Sequence, residues 1–220
     1  MSKEKISGCN WVGTGLFLAL LALGLGIWAA TRLLQPSGPP PFQPSAGTLL
    51  SPPKPLQPFR LQDTRGGSFT PESRAGRWTL LSFGYTHCPD VCPTTLGVLK
   101  GVEAKLRQAG AGTGLDIVFV SIDPERDNLE KLREYLDYFN PDFVGATGDD
   151  QALRALTDQL GVLYARADVD SAMGYLMDHS AHLVLLDPEV RMHALFGPPF
   201  SPEQIAADLQ GILGENDTDR

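Results

Sequence analysis

Basic side chains are scarce in this sequence: 18 lysines and arginines stand against 26 aspartates and glutamates, a formal charge of −8 over 220 residues. Three of those basic residues and one acidic residue lie in the first 32 positions, which leaves −10 on the rest. So acidic a chain argues against nucleic acid and anionic lipid surfaces as partners, and leaves cationic proteins and metal ions open. A phosphate-cradling glycine loop, a metalloprotease helix motif and internal repeats are all missing, which removes nucleotide, zinc-protease and solenoid readings. Cysteine is limited to Cys9, Cys88 and Cys92.

Charge is absent from Trp11 to Ala30, 20 positions whose only polar side chains are Thr14 and the indole N–H groups. That is about the length needed to cross a hydrocarbon core. Lys3, Lys5 and the amino terminus precede it and only Arg32 follows closely, so the positive-inside tendency puts residues 1–10 in the cytoplasm and the remainder outside. The run is long for a cleaved signal peptide, and an uncleaved anchor over 11–30 is the expectation. Ile6-Ser7-Gly8-Cys9 resembles a lipoprotein box, but the apolar run follows it, so the match is coincidental. Cys88 and Cys92 are then the one pair on the oxidising side.

Apolar periodicity is absent from Gln35 to Pro58, where 9 of the 18 prolines fall. Residues 31–58 read as a linker, extended at ~3.1 Å per residue, either reaching toward a membrane-bound partner or serving as a passive spacer. The domain is expected over 59–214 and a disordered tail over 215–220.

Within the domain, strand and helix patterns alternate. Phe59–Asp63, Trp78–Phe83 and the continuous apolar run Leu115–Ser121 read as strands. Leu96, Leu99, Val102 and Leu106 mark one face of a helix over Pro93–Ala109, and Asp127 with Glu130 predicts a capping box for the next helix. A short strand at Phe143–Thr147 and a helix capped by Asp149 and closed by Gly161 come next. His182–Asp187 and Val190–Phe196 form a hairpin around Pro188-Glu189, and a last helix opens at Ser201-Pro202. A β-α-β-α core closed by a hairpin and a helix is the thioredoxin-like α/β arrangement.

The chemistry concentrates in Leu80–Leu96, LLSFGYTHCPDVCPTTL. An apolar strand breaks at Gly84 and delivers Cys88 and Cys92, each followed by proline. Pro93 suits the first helical position, which puts Cys92 near the N-cap, where the helix dipole favours thiolate. Both metal binding and disulfide chemistry fit such a pair. Thioredoxin-type enzymes space their cysteines by two residues, and three intervene here. Peroxiredoxin spacing fails as well: the positions that need Thr/Ser and Pro hold Tyr85 and Leu81 for Cys88, and Pro89 and Tyr85 for Cys92.

Where thioredoxins place a cis-proline against their cysteines, this chain has Asp178-His179-Ser180. On that fold His179 faces the two sulfurs, and two thiolates with one imidazole are a soft-metal set. Three ligands suit Cu(I), whereas structural zinc usually takes four, so copper is preferred, with Cu(II) and an added donor left open. His87 reads as a polar loop residue, His182 and His193 as ordinary strand residues, and Met173 and Met177 as core filler. Asp90 and Asp178 tune the local charge or shape turns.

Three blocks, GYTHCPDVCPTT (Gly84–Thr95), FVSIDPERD (Phe119–Asp127) and YLMDHS (Tyr175–Ser180), resemble the Sco/SenC family of membrane-anchored copper metallochaperones over about Phe59–Leu213. The resemblance implies a thioredoxin-like fold, one copper held by Cys88, Cys92 and His179, and service to the binuclear copper centre of cytochrome c oxidase subunit II. The expected protein is a single-pass inner-membrane copper carrier facing the periplasm, not an enzyme in the usual sense, with a thiol reductase that keeps its cysteines reduced. The alternative is a thiol:disulfide reductase acting on the acceptor's cysteines. Asp123-Pro124-Glu125-Arg126 is read as a loop capping the next helix. Two features depart from the resemblance: Asp187–Val190 carries no turn glycine, and Ala165–Gly174 does not align.

Overall fold

A computed structural model describes residues 10–34, 42–111, 114–168 and 174–218; the side chains of 10–14, 32, 34 and 215–218 are outside that description. Two compact units divide at Pro41. The first contains α1 (Asn10–Leu34), 25 residues long, with Leu16, Phe17, Leu18 and Trp28 all exposed. Among the described residues no helix is long and apolar enough to cross a membrane. The segment 1–10, expected to be cytoplasmic, lies almost wholly outside them, as do the first side chains of the span expected at 11–30.

The second unit runs from Phe42. Its elements are β1 (Gly47–Pro55), β2 (Leu61–Asp63), β3 (Ser68–Phe69), α2 (Pro71–Arg74), β4 (Trp78–Gly84), α3 (Val91–Gln108), β5 (Leu115–Ser121), α4 (Leu129–Asp137) and β6 (Val144–Thr147). They continue with α5 (Asp150–Leu160), β7 (Tyr164–Ala167), β8 (Leu176–His179), β9 (Leu183–Leu186), β10 (Arg191–Phe196) and α6 (Pro202–Thr218). Eight strands form one sheet in the order β1-β10-β9-β4-β5-β6-β2-β3. β4, β5 and β6 are parallel, and β9 joins β4 antiparallel. This is the thioredoxin-like α/β fold.

Strand alternation builds the core on both faces. Leu80, Ile117 and Phe119 pack with Leu96, Leu99, Val102 and Leu106 of α3 and Ile205, Leu209 and Ile212 of α6. Their neighbours Leu81, Phe83, Val118 and Val120 face the other way, onto Leu153, Leu156 and Leu160 of α5. A strand buried on both faces reads as one continuous apolar run, which is why Leu115–Ser121 was legible at its full length.

The proline-rich stretch needs correction. The expected linker 31–58 contains β1, which pairs antiparallel with β10 at the sheet edge, in register at Gly47↔Phe196 and Pro55↔Arg191 with a shift between Leu49 and Lys54. An edge strand can carry prolines because its outer N–H groups have no partner to lose. Its entry is fastened by Asp208 of α6, a buried carboxylate that accepts from the Ser45, Ala46 and Gly47 N–H groups at 2.7, 2.7 and 2.9 Å and from the Ser45 hydroxyl at 3.1 Å. At the other end, α6 continues past Gly214 to Thr218, where a disordered tail was expected from 215.

Two helix starts also differ from the reading. α3 begins at Val91 behind Asp90, so Cys92 is the second helical residue and Pro93 the third. α4 is capped by Asn128, whose side chain accepts from the Lys131 N–H at 2.9 Å, not by Asp127. β7 and β8 form a separate two-stranded ribbon, and this ribbon carries His179.

Candidate metal centre

β4 and the first turn of α3 place the cysteines. Cys88 Sγ accepts the Cys92 backbone N–H at 3.3 Å, occupying the capping role that the Asp90 side chain leaves empty. Both cysteines are unpaired and buried. The hydrogen bond from the Cys92 thiol draws the Cys88 thiol down to about 4 against the penalty of burial, with His179 and the Asp90 and Cys92 backbone adding to the effect. Cys92 moves the opposite way, because its proton is shared with Cys88 and its sulfur is deeply buried.

β8 brings His179 across to them. His179 Nε2 is 3.6 Å from Cys92 Sγ, and Nδ1 is 3.0 Å from the Ser180 carbonyl. A carbonyl only accepts, so Nδ1 carries the hydrogen, and it is Nε2 that faces the sulfur. Burial opposes protonation of this ring, yet its pKa is raised, because Cys88 and the Ser180 carbonyl favour the charged form. Tyr85 closes the floor, its ring edge-on to the imidazole with centroids 6.4 Å apart. A cavity of about 300 Å³ lined by Tyr85, Cys88 and His179 opens between Pro89-Asp90-Val91 and Leu176–His179. Among the described residues, no three His, Cys, Asp or Glu side chains are gathered tightly enough to hold a metal ion as they stand.

Residues 49–214 match the profile of the family described as SCO1/SenC. The chain belongs to the SCO1/SenC family. A SCO2-like protein of Rickettsia felis is 36% identical over 156 residues, covering 70% of this chain and 74% of its own. The ScoI of Arabidopsis thaliana, solved with copper bound, is similar with a TM-score of 0.67 and 30% identity over 72% of this chain and 98% of that one. The copper-bound ScoI of Bradyrhizobium japonicum gives 0.63 and 35% over 71% and 98%.

In this SCO1/SenC chain His87 turns away from the sulfurs. Its Nδ1 is 3.1 Å from Thr86 Oγ1 and its Nε2 is 3.5 Å from Lys131 Nζ. Asp90 and Asp178 are exposed at the rim, and Met177 lines the cavity; Met173 lies outside the described residues. Sequence reasoning missed Asp127. Buried at 2% exposure, it accepts from the Thr86 N–H at 2.9 Å, the Thr86 hydroxyl at 2.5 Å and the Ser121 hydroxyl at 2.6 Å. It thereby ties the loop entering Cys88 to the end of β5. Asp127→Asn replaces one acceptor oxygen with a donor, so one hydroxyl or N–H is left facing N–H. We expect a loss of about 2 kcal/mol in urea unfolding and faster alkylation of Cys88; an unchanged midpoint and alkylation rate would show that Asp127 does not hold the loop.

Proposed function

We propose that this chain is a membrane-anchored copper carrier that holds one ion between Cys88, Cys92 and His179 and passes it to the binuclear copper centre of cytochrome c oxidase subunit II. The observation that carries this reading is the approach of His179 Nε2 to Cys92 Sγ at 3.6 Å, with the Cys88 sulfur bonded to the same residue's N–H. Metal–sulfur and metal–nitrogen bonds of about 2.3 and 2.0 Å set the S and N ligands of a trigonal ion roughly 3.7 Å apart. Two thiolates and an imidazole are the donors that soft Cu(I) prefers. Relatives with copper bound add support.

Delivery is ligand exchange: thiolates or imidazoles of an acceptor replace the three side chains stepwise, driven by a tighter final site. The uncharged run 11–30 behind Lys3 and Lys5 supports a single-pass anchor with the domain facing the periplasm. A thiol reductase keeps Cys88 and Cys92 reduced there, since that compartment oxidises thiols.

A second reading is favoured by the opposed shifts of the two cysteines, one thiol acidified and its partner holding its proton. That asymmetry suits thiol:disulfide exchange with the acceptor's cysteines, Cys88 attacking and Cys92 resolving. Anaerobic titration of the reduced chain with Cu(I) separates the two. One tightly bound copper per chain, absent after oxidation and lowered at least about 100-fold in His179→Ala, supports the carrier. Binding that survives His179→Ala, with disulfide reduction intact, would point to the reductase.

A further inference from the structure

The ribbon that carries His179 is not part of the eight-stranded sheet, so something other than the main strand ladder must fix where its imidazole stands. We propose that Arg126 and Tyr175 are positioning residues: the loop after β5 grips the start of β8 and thereby sets the placement of His179 against the cysteines.

The grip is a closed cycle. The Tyr175 hydroxyl donates to Asp123 Oδ1 at 2.7 Å, Arg126 Nε donates to Asp123 Oδ2 at 2.5 Å, and Arg126 Nη1 donates to the Tyr175 carbonyl at 2.9 Å. Asp123 is buried at 2% exposure and follows closely on β5, whose last six residues are buried. Tyr175 is therefore bolted to the core at both its backbone and its ring end. Its ring is also held between two guanidinium groups, Arg126 at 3.6 Å and Arg166 of β7 at 3.8 Å from the centroid, each a cation–π contact. Arg166 belongs to the partner strand and pairs in register with Met177, so one aromatic ring joins the body and both strands of the ribbon.

A second tie makes the geometry specific to the site. The Tyr85 ring meets the His179 imidazole edge-on, and Arg126 lies 5.5 Å over the same Tyr85 ring. Arg126 thus touches both aromatic residues that flank the short strand ending in His179. Only three residues separate Tyr175 from His179 in an extended strand, too few for slack to build up between the grip and the imidazole. Asp123-Pro124-Glu125-Arg126 consequently works across the chain on β8, in place of the helix-capping role its sequence suggests.

The placement of His179 can be read without copper, and the rate at which copper leaves rests on the carrier reading. Both are measured on the full-length reduced chain in detergent micelles, as wild type, Tyr175→Leu, Tyr175→Phe and Arg166→Ala. The first readout is the nuclear Overhauser contact between the His179 and Tyr85 rings. The second is the rate of Cu(I) loss to a chromophoric chelator. Tyr175→Leu is expected to lose the ring contact and release Cu(I) at least about tenfold faster, within the range that outer-shell partners of metal ligands command. Tyr175→Phe keeps the stacked ring without the bond to Asp123, and Arg166→Ala removes one face of the stack from an exposed position; each should weaken the ring contact and raise the rate about threefold. A fold that simply softens would not spare Tyr175→Phe more than Tyr175→Leu in proportion to the bonds kept. If Tyr175→Leu does not fold, the two milder variants carry the test. An intact ring contact with Cu(I) loss within twofold of wild type in the folded variants overturns the proposal. Should the wild type take up no copper, the carrier reading fails, and the ring contact alone still decides whether the grip positions His179.

Discussion

A chain shortened to residues 56–220 is expected to be less stable than one shortened to 42–220 by roughly 8 kcal/mol, read from urea unfolding midpoints and slopes. The cut at 56 follows the proline pattern, and it removes β1. Five paired positions along β10 lose their partners, each backbone bond contributing about 1 kcal/mol. Asp208 suffers more. Its buried carboxylate has Ser45, Ala46 and Gly47 as donors, all upstream of the cut, and a buried charge stripped of its partners costs about 3 kcal/mol or more. Set against the 5–15 kcal/mol that typically holds a domain together, the shorter chain sits near the threshold of folding. It also exposes β10 as a new edge, open to pairing with another molecule. The 42–220 chain should stay monomeric at concentrations where the 56–220 chain aggregates. Equal midpoints would mean that β1 is a passive strap and that Asp208 finds water as a substitute.

Gly84→Ala is expected to damage the site more than its single added methyl suggests. A Cβ built on Gly84 comes within 2.7 Å of Cys92 Sγ and 2.9 Å of the Phe119 ring, closer than atoms pack in any core. Ring and sulfur belong to one buried cluster with Ile117 and Leu132, and relieving the overlap at the sulfur takes a shift of about 1 Å, which exceeds the roughly 0.5 Å within which a working site must be held. Overpacking of this kind costs about 3 kcal/mol in stability. The larger effect falls on the metal: with Cys92 displaced from His179, Cu(I) affinity should drop about 100-fold while Cys88→Ser and His179→Ala, made in the same background, add little further. A reduced Gly84→Ala chain that titrates like the wild type would show that the sulfur has room the structure does not reveal. The requirement for glycine here comes from close approach alone, since the strand conformation at this position suits any residue.

The same stretch shows how far the sequence could be followed. Cys88 and Cys92 were visible as a pair at a strand-to-helix break because strand, break and helix are neighbours in the chain, and local patterns report local structure. Asp149 and Gly161 were read correctly as the two ends of α5, the aspartate accepting from Ala152 N–H and the glycine taking the left-handed conformation, because a cap bonds within one turn. Asp127 looked like the same kind of residue and was not. An aspartate before a helix can cap it or can accept from donors 41 residues away, and the spacing to Glu130 cannot tell these apart. Asn128, one place later, does the capping.

β1 and the ribbon were hidden for a different reason. Prolines and glycines mark a segment as irregular when it is judged alone, yet an edge strand has only one side to pair and tolerates them. Whether such a segment pairs depends on β10 and Asp208, more than 100 positions downstream. β7 and β8 are four residues each, too short for a period to declare itself, and they are held by Tyr175, Asp123 and Arg126 from two separate parts of the chain.

By itself the sequence determined the hydrophobic pattern of the central strands and helices, the cysteine pair with its spacing, and the donor types that the site offers. These follow from composition and periodicity, which act over a few residues. Tertiary structure alone decided that Cys88 Sγ caps α3, that His179 turns Nε2 to Cys92, that Gly84 must be bare, and that Asp127 and Asp208 spend their carboxylates on distant loops. Apart from the Cys88 cap, which reaches only four residues along, each of these depends on groups well separated in the chain meeting within hydrogen-bond or van der Waals distance, and only the folded packing sets that distance.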